Sequence, residues 1–155
     1  DVFSEVYKAN KSAVLLLVGE GPLKEQIERK VSEQNLSEAV RFLGLRKDVP
    51  DLYQAMDVFA LPSFYEGLPV VGVEAQAAGL PCLISDLVTR EMGITRLVHF
   101  LSLSESAELW RKQVLSYAGI LPEERANTDQ MVKEAGFWIQ DEAKRLGQFY
   151  YSLVS

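Results

Sequence analysis

Hydrophobic residues follow two spacings along this chain, and the two spacings alternate. Short runs rich in leucine and β-branched residues predict strands at 14–18, 40–43, 57–62, 82–85 and 97–101. Between them, apolar residues recur every three or four positions and predict helices at 1–7, 23–34, 49–56, 69–78 and 106–115. The last third, 122–155, is predicted to be helical, with four aromatic residues as packing anchors: Phe137, Trp138, Phe149 and Tyr150.

This alternation predicts an α/β fold. Strands joined through helices run parallel with right-handed crossovers, so we expect a Rossmann-like, doubly wound parallel sheet. No internal repeat, low-complexity segment or linker interrupts the pattern, and 155 residues suit a single domain. Ligands bind such sheets at the carboxyl ends of the strands. The candidate binding turns are therefore those at Gly19, at Gly44-Leu45-Arg46 and at 63–68.

Composition and charge narrow the class of protein. A net charge of −6 argues against broad affinity for nucleic acid or anionic lipid. The single cysteine, Cys82, lies in an apolar run, which predicts a small core residue in a reducing compartment. No secretory signal is found, and the apolar run 13–18 is too short to span a bilayer. Residues 1–7 begin as a helix already under way, so we expect a piece of a longer protein.

Glu74 is the only charged residue between Val70 and Ser85. With Pro69 in the first helical turn, the spacing places Glu74 on one face with Val70, Ala77 and Ala78, in an apolar stripe of small residues. An ionised carboxylate in apolar surroundings is costly unless something satisfies it. Two interpretations stand equally: a buried ion paired within the protein, and a carboxylate that accepts hydrogen bonds from the two hydroxyls of a ribose.

The loop before this helix contains a second carboxylate, Glu66, followed by Gly67. The glycine lets the backbone approach a ligand closely. The amides of Gly67, Leu68 and Val70 could face an anion at the start of the helix, whereas Pro69 has no amide to donate. From chemistry alone, a capping or solvated Glu66 is the alternative to a sugar-binding one.

The spacing of Glu66 and Glu74, with seven residues between them, belongs to a longer block at 57–81. This block resembles the E-x7-E signature of the retaining glycosyltransferases of family 4, which have the GT-B fold of two Rossmann-like domains. The upstream segments 16–22 and 40–44 and the closing segment 127–153 are similar to the second, donor-binding domain in order and spacing. The amino-acid sequence of this block looks most like that of enzymes that assemble bacterial exopolysaccharide or capsule.

The resemblance implies a role for each candidate residue. Glu74 would hold the ribose diol of a nucleotide-sugar, and Glu66 would contact donor-sugar hydroxyls near the reacting carbon. The amides of Gly67, Leu68 and Val70 would face the diphosphate or the sugar. Gly19, in the turn after the first strand, would also bind the donor. The turn after the second strand, Gly44-Leu45-Arg46, would bind the donor and lie beside its base. Arg46 and Lys47 are otherwise plain surface charges.

The resemblance also implies what this chain lacks. Family members carry an Arg and a Lys after the first strand of this domain; that strand would precede Asp1 and lie mid-sheet, so the sheet would have a gap. The acceptor-binding domain would be missing too, and we expect the fragment alone to be inactive. The full enzyme would use a nucleotide-sugar, with uridine diphosphate as the expected nucleotide, to extend a glycan or lipid-linked acceptor. It would lie in the cytoplasm or at the inner face of the membrane, which it would contact through the missing half or a lipid-linked acceptor.

The same sequence bears on which cofactors and which other classes of protein are expected. No Asp-x-Asp occurs, so neither a metal nor another cofactor is expected. A GT-B-type nucleotide-sugar epimerase would need a catalytic histidine arrangement that the lone His99 does not supply. A non-catalytic nucleotide-binding or interaction module is the other alternative. A nicotinamide-dependent dehydrogenase is weakest, because the turn at Gly19 and Gly21 has no third glycine.

Overall fold

A computed structural model describes residues 1–120 and 122–153 of the chain. The strands of this described part are β1 Leu15–Val18, β2 Val40–Gly44, β3 Phe59–Leu61, β4 Cys82–Ser85 and β5 Val98–Leu101. Its α-helices are α1 Val2–Ala9, α2 Lys24–Glu33, α3 Val49–Ala55, α4 Val70–Ala77, α5 Ala107–Tyr117, α6 Thr128–Glu134 and α7 Ile139–Ser152. Two short 3-10 helices, Arg90–Met92 and Pro122–Arg125, complete the described elements.

All strand pairs in the described part of the chain are parallel, which confirms the predicted α/β class. β1 pairs with β2 and places Leu15 opposite Val40. β4 lies between β3 and β5 and places Cys82 opposite Val98. Among the described residues β1 and β3 are not paired with each other, so the sheet is divided into two parts.

The core is built around β4. All four residues of Cys82–Ser85 are buried, because β4 is paired on both edges and packed on its faces. Tyr53 of α3, Val73 of α4 and Val132 of α6 belong to the same buried cluster. Burial raises the pKa of the Cys82 thiol to about 12, as expected of a core residue rather than a reactive one.

The helix that follows the Glu66 loop has clear start and stop signals. Pro69 precedes α4 and Gly79 lies two residues after its last residue, as the sequence predicted. Gly79 has a φ of +76°, and a Cβ there would lie 2.7 Å from the carbonyl oxygen of Arg125. The Arg125 Nε donates back to the Gly79 carbonyl at 2.8 Å. The end of α4 is therefore fixed against the segment that leads into α6.

The last third of the chain is helical but interrupted. Asn127, with a φ of +62°, precedes α6, and Gly136, with a φ of +87°, separates α6 from α7. The expected aromatic anchors are wrong as core residues, because all four keep more than a third of their surface exposed: Phe137, Trp138, Phe149 and Tyr150. An amphipathic repeat does not reveal what covers the apolar face of a terminal helix.

Helix packing connects the two parts of the sheet. α1, which precedes β1, packs against α5, which follows β5. Trp110 of α5 is buried, and its indole N–H donates to the carbonyl of Ser102 at 3.0 Å. In the described residues we find no helix both long enough and apolar enough to cross a membrane.

Candidate functional site

The first two candidate turns lie side by side at the carboxyl ends of β1 and β2. The amide of Gly19 donates to the carbonyl of Gly44 at 2.8 Å. Gly44 has a φ of +62°, a conformation that other residues adopt at a cost, so the turn after β2 requires glycine. The sequence therefore placed these two residues together correctly.

Leu45 and Arg46 follow Gly44 on the surface. Leu45 is exposed. Arg46 points its guanidinium at Asp48, with Nε donating to Oδ1 at 2.8 Å, and this neighbour holds the pKa of the Asp48 carboxyl below its ordinary value. Arg46 thus forms a local ion pair on the surface, as the plainer of the two interpretations expected.

Glu66 lies in the loop between β3 and α4 and is half-buried. The Ser63 hydroxyl donates to its Oε1 at 3.0 Å. Ser63 follows β3 by two residues, so the end of the strand positions its hydroxyl. This hydroxyl in turn positions one carboxylate oxygen of Glu66. The second oxygen of Glu66 has lone pairs available to another donor.

Exposed apolar side chains surround this loop. Phe64 is 80% exposed, Tyr65 is 86% exposed and Val70 is 67% exposed, with Leu68 and Val71 also on the surface. Gly67 has no positive φ, and a Cβ there would meet no protein atom within 4 Å. Nothing within the described chain therefore demands glycine at this position. Amides in the first turn of α4 have no acceptor inside the helix, as at any helix start.

Glu74 lies on the solvent-facing side of α4. It shares a face with Val70 as the spacing predicted, but Val70 and Glu74 are exposed, and Ala77 and Ala78 on that face are partly buried. The expectation of a carboxylate in apolar, buried surroundings is wrong, because helical spacing shows which residues share a face and not which face meets the core. The buried residues of α4 are Gly72, Val73, Ala75 and Gln76.

The sequence did not single out Tyr53, the residue that contacts Glu74. Tyr53 is 4% exposed, and its hydroxyl lies 3.3 Å from Glu74 Oε2 and 3.2 Å from the carbonyl oxygen of Val71. Burial raises the pKa of Tyr53, and the negative charge of Glu74 raises it further. A tyrosine within an apolar helix pattern gives no sign that its hydroxyl emerges beside a carboxylate.

Gln76 is a second residue that the sequence did not reveal. Its side chain is fully buried and fully bonded: Nε2 donates to the carbonyls of Gly72 and Met92, and Oε1 accepts from the amide of Thr95. Gln76 thus holds α4 against the segment that follows the first 3-10 helix. The only available signal was a glutamine inside an otherwise apolar run.

Other candidates lie outside this group. His99 of β5 packs near the ring of Tyr117, with centroids 6.2 Å apart. Within residues 1–120 and 122–153, no group of three or more His, Cys, Asp or Glu side chains has the arrangement of a metal site. A cavity of about 130 Å³ lies among α1, β1, α2 and β2, away from both glutamates. Neither Glu66, which is half-buried, nor Glu74, which is exposed, lines this cavity.

The family of the chain follows from its similarity to known proteins. A family model described as "Glycosyl transferases group 1" matches residues 1–117. The chain belongs to the group 1 glycosyl transferases, which confirms the resemblance seen in the E-x7-E block. In sequence it is 40% identical over 137 residues to EpsF of Bacillus subtilis (strain 168), which is provisionally named a glycosyltransferase.

A second relative acts on a lipid-linked sugar. The chain is 40% identical over 76 residues to the Escherichia coli UDP-Gal:alpha-D-GlcNAc-diphosphoundecaprenol alpha-1,3-galactosyltransferase. These matches cover 88% and 48% of the chain but only 36% and 20% of the two relatives. The chain thus spans about a third or less of the relatives' length.

Solved structures show the same fold. Sucrose-phosphate synthase from Thermosynechococcus elongatus superposes with a TM-score of 0.81 at 23% identity, over 99% of this chain and 41% of that one. Anabaena HepE in complex with UDP and glucose superposes with a TM-score of 0.78 at 20% identity, over 97% of this chain and 44% of that one. The fold is that of one part of a GT-B glycosyltransferase.

Proposed function

We propose that the chain is the donor-binding part of a retaining glycosyltransferase. The full-length enzyme would move a sugar from a nucleotide-sugar, with uridine diphosphate as the leaving group, to a glycan or lipid-linked acceptor in bacterial surface polysaccharide synthesis. One observation carries the proposal: in a group 1 glycosyl transferase, the half-buried Glu66 and the exposed Glu74 each have one carboxylate oxygen within hydrogen-bond distance of a side-chain hydroxyl. The UDP-galactose donor in the name of the E. coli relative and the UDP bound to HepE support the choice of nucleotide.

Each residue has a separate task in this proposal. Glu74 accepts hydrogen bonds from the ribose diol, and Glu66 accepts hydrogen bonds from the donor sugar. The amides of Gly67, Leu68 and Val70 face the diphosphate or the sugar, where the start of α4 favours negative charge. The turn at Gly44-Leu45-Arg46 lies beside the base, and Gly19 also belongs to the donor-binding set. Open space at the Gly67 Cβ position supports a close approach of ligand to backbone there.

The leaving diphosphate needs positive charge, of which the candidate turns contain only Arg46 and Lys47. Stabilisation of charge in the transition state is commonly the largest catalytic contribution. Arg46 is already paired with Asp48. We therefore place the stabilising cations, the acceptor site and the missing mid-sheet strand in the rest of the full-length protein, and we expect the isolated chain to be inactive.

Exposed apolar side chains near Glu66 support the proposal that the rest of the full-length protein completes the site. Phe64, Tyr65 and Val70 flank Glu66 in the sequence and are largely exposed. Contiguous exposed apolar residues mark binding or interaction surfaces. In the proposal an acceptor-binding domain faces this patch and closes the donor site. The protein would act at the cytoplasmic side of the membrane, reached through that domain or through a lipid-linked acceptor.

The first test concerns Glu74 in the full-length protein. We expect Glu74→Ala to weaken UDP binding at least about tenfold, or roughly 1.4 kcal/mol, because the ribose diol loses its acceptor. Isothermal titration calorimetry measures this affinity. Glu25→Ala, a change to an exposed glutamate of α2, is the matched control. Unchanged UDP affinity in Glu74→Ala would remove Glu74 from the ribose site.

The second test separates sugar from nucleotide. Glu66→Ala should reduce kcat with the full donor more than it weakens UDP binding, because UDP contains no donor sugar. A screen of nucleotide-sugars with product analysis identifies the donor for this assay. Equal losses in kcat and in UDP affinity would contradict a role confined to the sugar.

A further inference from the structure

Tyr53 connects the protein core to the exposed face of α4. Its ring belongs to the buried cluster and meets Phe59 edge-on, with centroids 6.2 Å apart and planes at 76°. Its hydroxyl emerges beside α4, 3.3 Å from Glu74 Oε2 and 3.2 Å from the Val71 carbonyl oxygen. A buried aromatic ring has little freedom, so the position of this hydroxyl is fixed by core packing.

The carboxylate is the better of the two acceptors. The Val71 carbonyl belongs to the first turns of α4 and accepts a hydrogen bond from within the helix. Hydrogen bonds to a carboxylate are stronger than those to a neutral carbonyl. Burial and the charge of Glu74 raise the pKa of the Tyr53 phenol, so the hydroxyl keeps the proton that it donates. The Tyr53 hydroxyl therefore favours Glu74 over the Val71 carbonyl.

We propose that Tyr53 is the positioning residue that orients the Glu74 carboxylate for the nucleotide ribose. A surface glutamate has several free torsions, and ordering it when the ligand binds costs conformational entropy. A fixed hydroxyl on Oε2 removes part of that cost before the ligand arrives. Each carboxylate oxygen has two lone-pair sites, so Oε2 can accept from Tyr53 and from a ribose hydroxyl together. This inference rests on the proposed function of Glu74.

The test removes the hydroxyl and keeps the ring. Tyr53→Phe in the full-length protein should weaken UDP binding by about three- to tenfold while the donor-sugar dependence of kcat stays unchanged. Tyr117→Phe, which removes a partly buried hydroxyl on α5, is the matched control and should leave UDP affinity unchanged. An unchanged UDP affinity in Tyr53→Phe would overturn the proposal.

Two further measurements exclude a merely structural effect. In the Glu74→Ala background, Tyr53→Phe should cause no additional loss of UDP affinity, because residues acting through one another are not additive. Similarly, 2′,3′-dideoxy-UDP should bind the wild-type protein and Tyr53→Phe equally. Additive losses, or an equal loss for the dideoxy nucleotide, would contradict positioning through Glu74. If Tyr53→Phe lowers stability, the UDP to dideoxy-UDP affinity ratio within the folded variant still decides the matter.

The two proposals fail differently. If Glu74→Ala leaves UDP affinity unchanged, the ribose role of Glu74 fails and the role of Tyr53 fails with it. If Glu74→Ala weakens UDP binding but Tyr53→Phe does not, only the positioning role fails and the proposed function stands.

Discussion

At the scale of single residues, hydroxyl groups fix one oxygen of each glutamate. Ser63 holds Glu66 from the end of β3, and Tyr53 holds Glu74 from α3. The two donors come from different elements, so the carboxylates are oriented independently of each other. A binding site whose acceptors are already oriented loses less entropy when a ligand is bound.

Gln76 is the residue whose replacement should cost most in stability on α4. Gln76→Leu leaves the Met92 carbonyl and the Thr95 amide without their buried partner. We expect the free energy of unfolding to fall by about 2–4 kcal/mol. Urea unfolding followed by circular dichroism measures the change.

The same substitution on an exposed helix face is the control. Gln26→Leu on α2 should change the free energy of unfolding by no more than about 0.5 kcal/mol. Similar losses in the two variants would mean that the Gln76 hydrogen bonds contribute nothing beyond what any glutamine contributes.

The residue scale also shows where sequence reasoning stops. Glu66 and Glu74 were found from their types and spacing, but spacing did not reveal that the face containing Glu74 is exposed. Gln76 is buried where a polar residue is normally exposed, because three hydrogen bonds replace its water. Such compensation depends on atoms of Met92 and Thr95, which lie far along the chain and whose proximity no local pattern reveals.

At the scale of elements, prediction succeeded where buried strands and turn residues agree. β4 was predicted residue for residue, since its apolar run begins after Pro81 and ends at Ser85. The predicted span of β3 was longer than the observed Phe59–Leu61. The last third was predicted as helix, but its division at Asn127 and Gly136 was not, because left-handed residues inside a helical pattern carry a weak signal.

The end of α4 gives a prediction at this scale. Gly79→Ala should lower the free energy of unfolding by at least about 2 kcal/mol, because of its positive φ and the close Arg125 carbonyl. Gly147→Ala within α7 is the matched control: a Cβ there meets nothing within 4 Å. Alanine in mid-helix should stabilise by about 0.5–1 kcal/mol. Thermal unfolding of both variants measures the difference, and a shared sign would contradict this account.

At the scale of the whole molecule, the described sheet has two inner edges without a partner strand. The amides of Leu15 and Gly19 donate to β2, so alternation directs Leu16 and Val18 to the other edge. The Phe59 amide donates towards β4, which directs Ala60 away from it. The described strands thus leave these edges of β1 and β3 unpaired, as they do the outer edges of β2 and β5.

Hydrogen exchange of the chain by itself tests this arrangement. Amides of Leu16, Val18 and Ala60 should exchange at least about 100-fold faster than those of β4, which are paired on both sides. Two-dimensional NMR after dilution into D₂O measures the rates residue by residue. Equal protection would show that another strand, from a second copy or from within the chain, already covers these edges.

The contact between Arg125 and Gly79 joins the end of α4 to a segment that lies beyond residue 117. The family model matches residues 1–117, whereas Thr128 and Val132 of α6 are buried and Val132 belongs to the central cluster. The buried core of the chain therefore extends beyond the residues that the family model matches. A fragment that ended at residue 117 would keep Glu66 and Glu74 but would lose α6 and its buried residues.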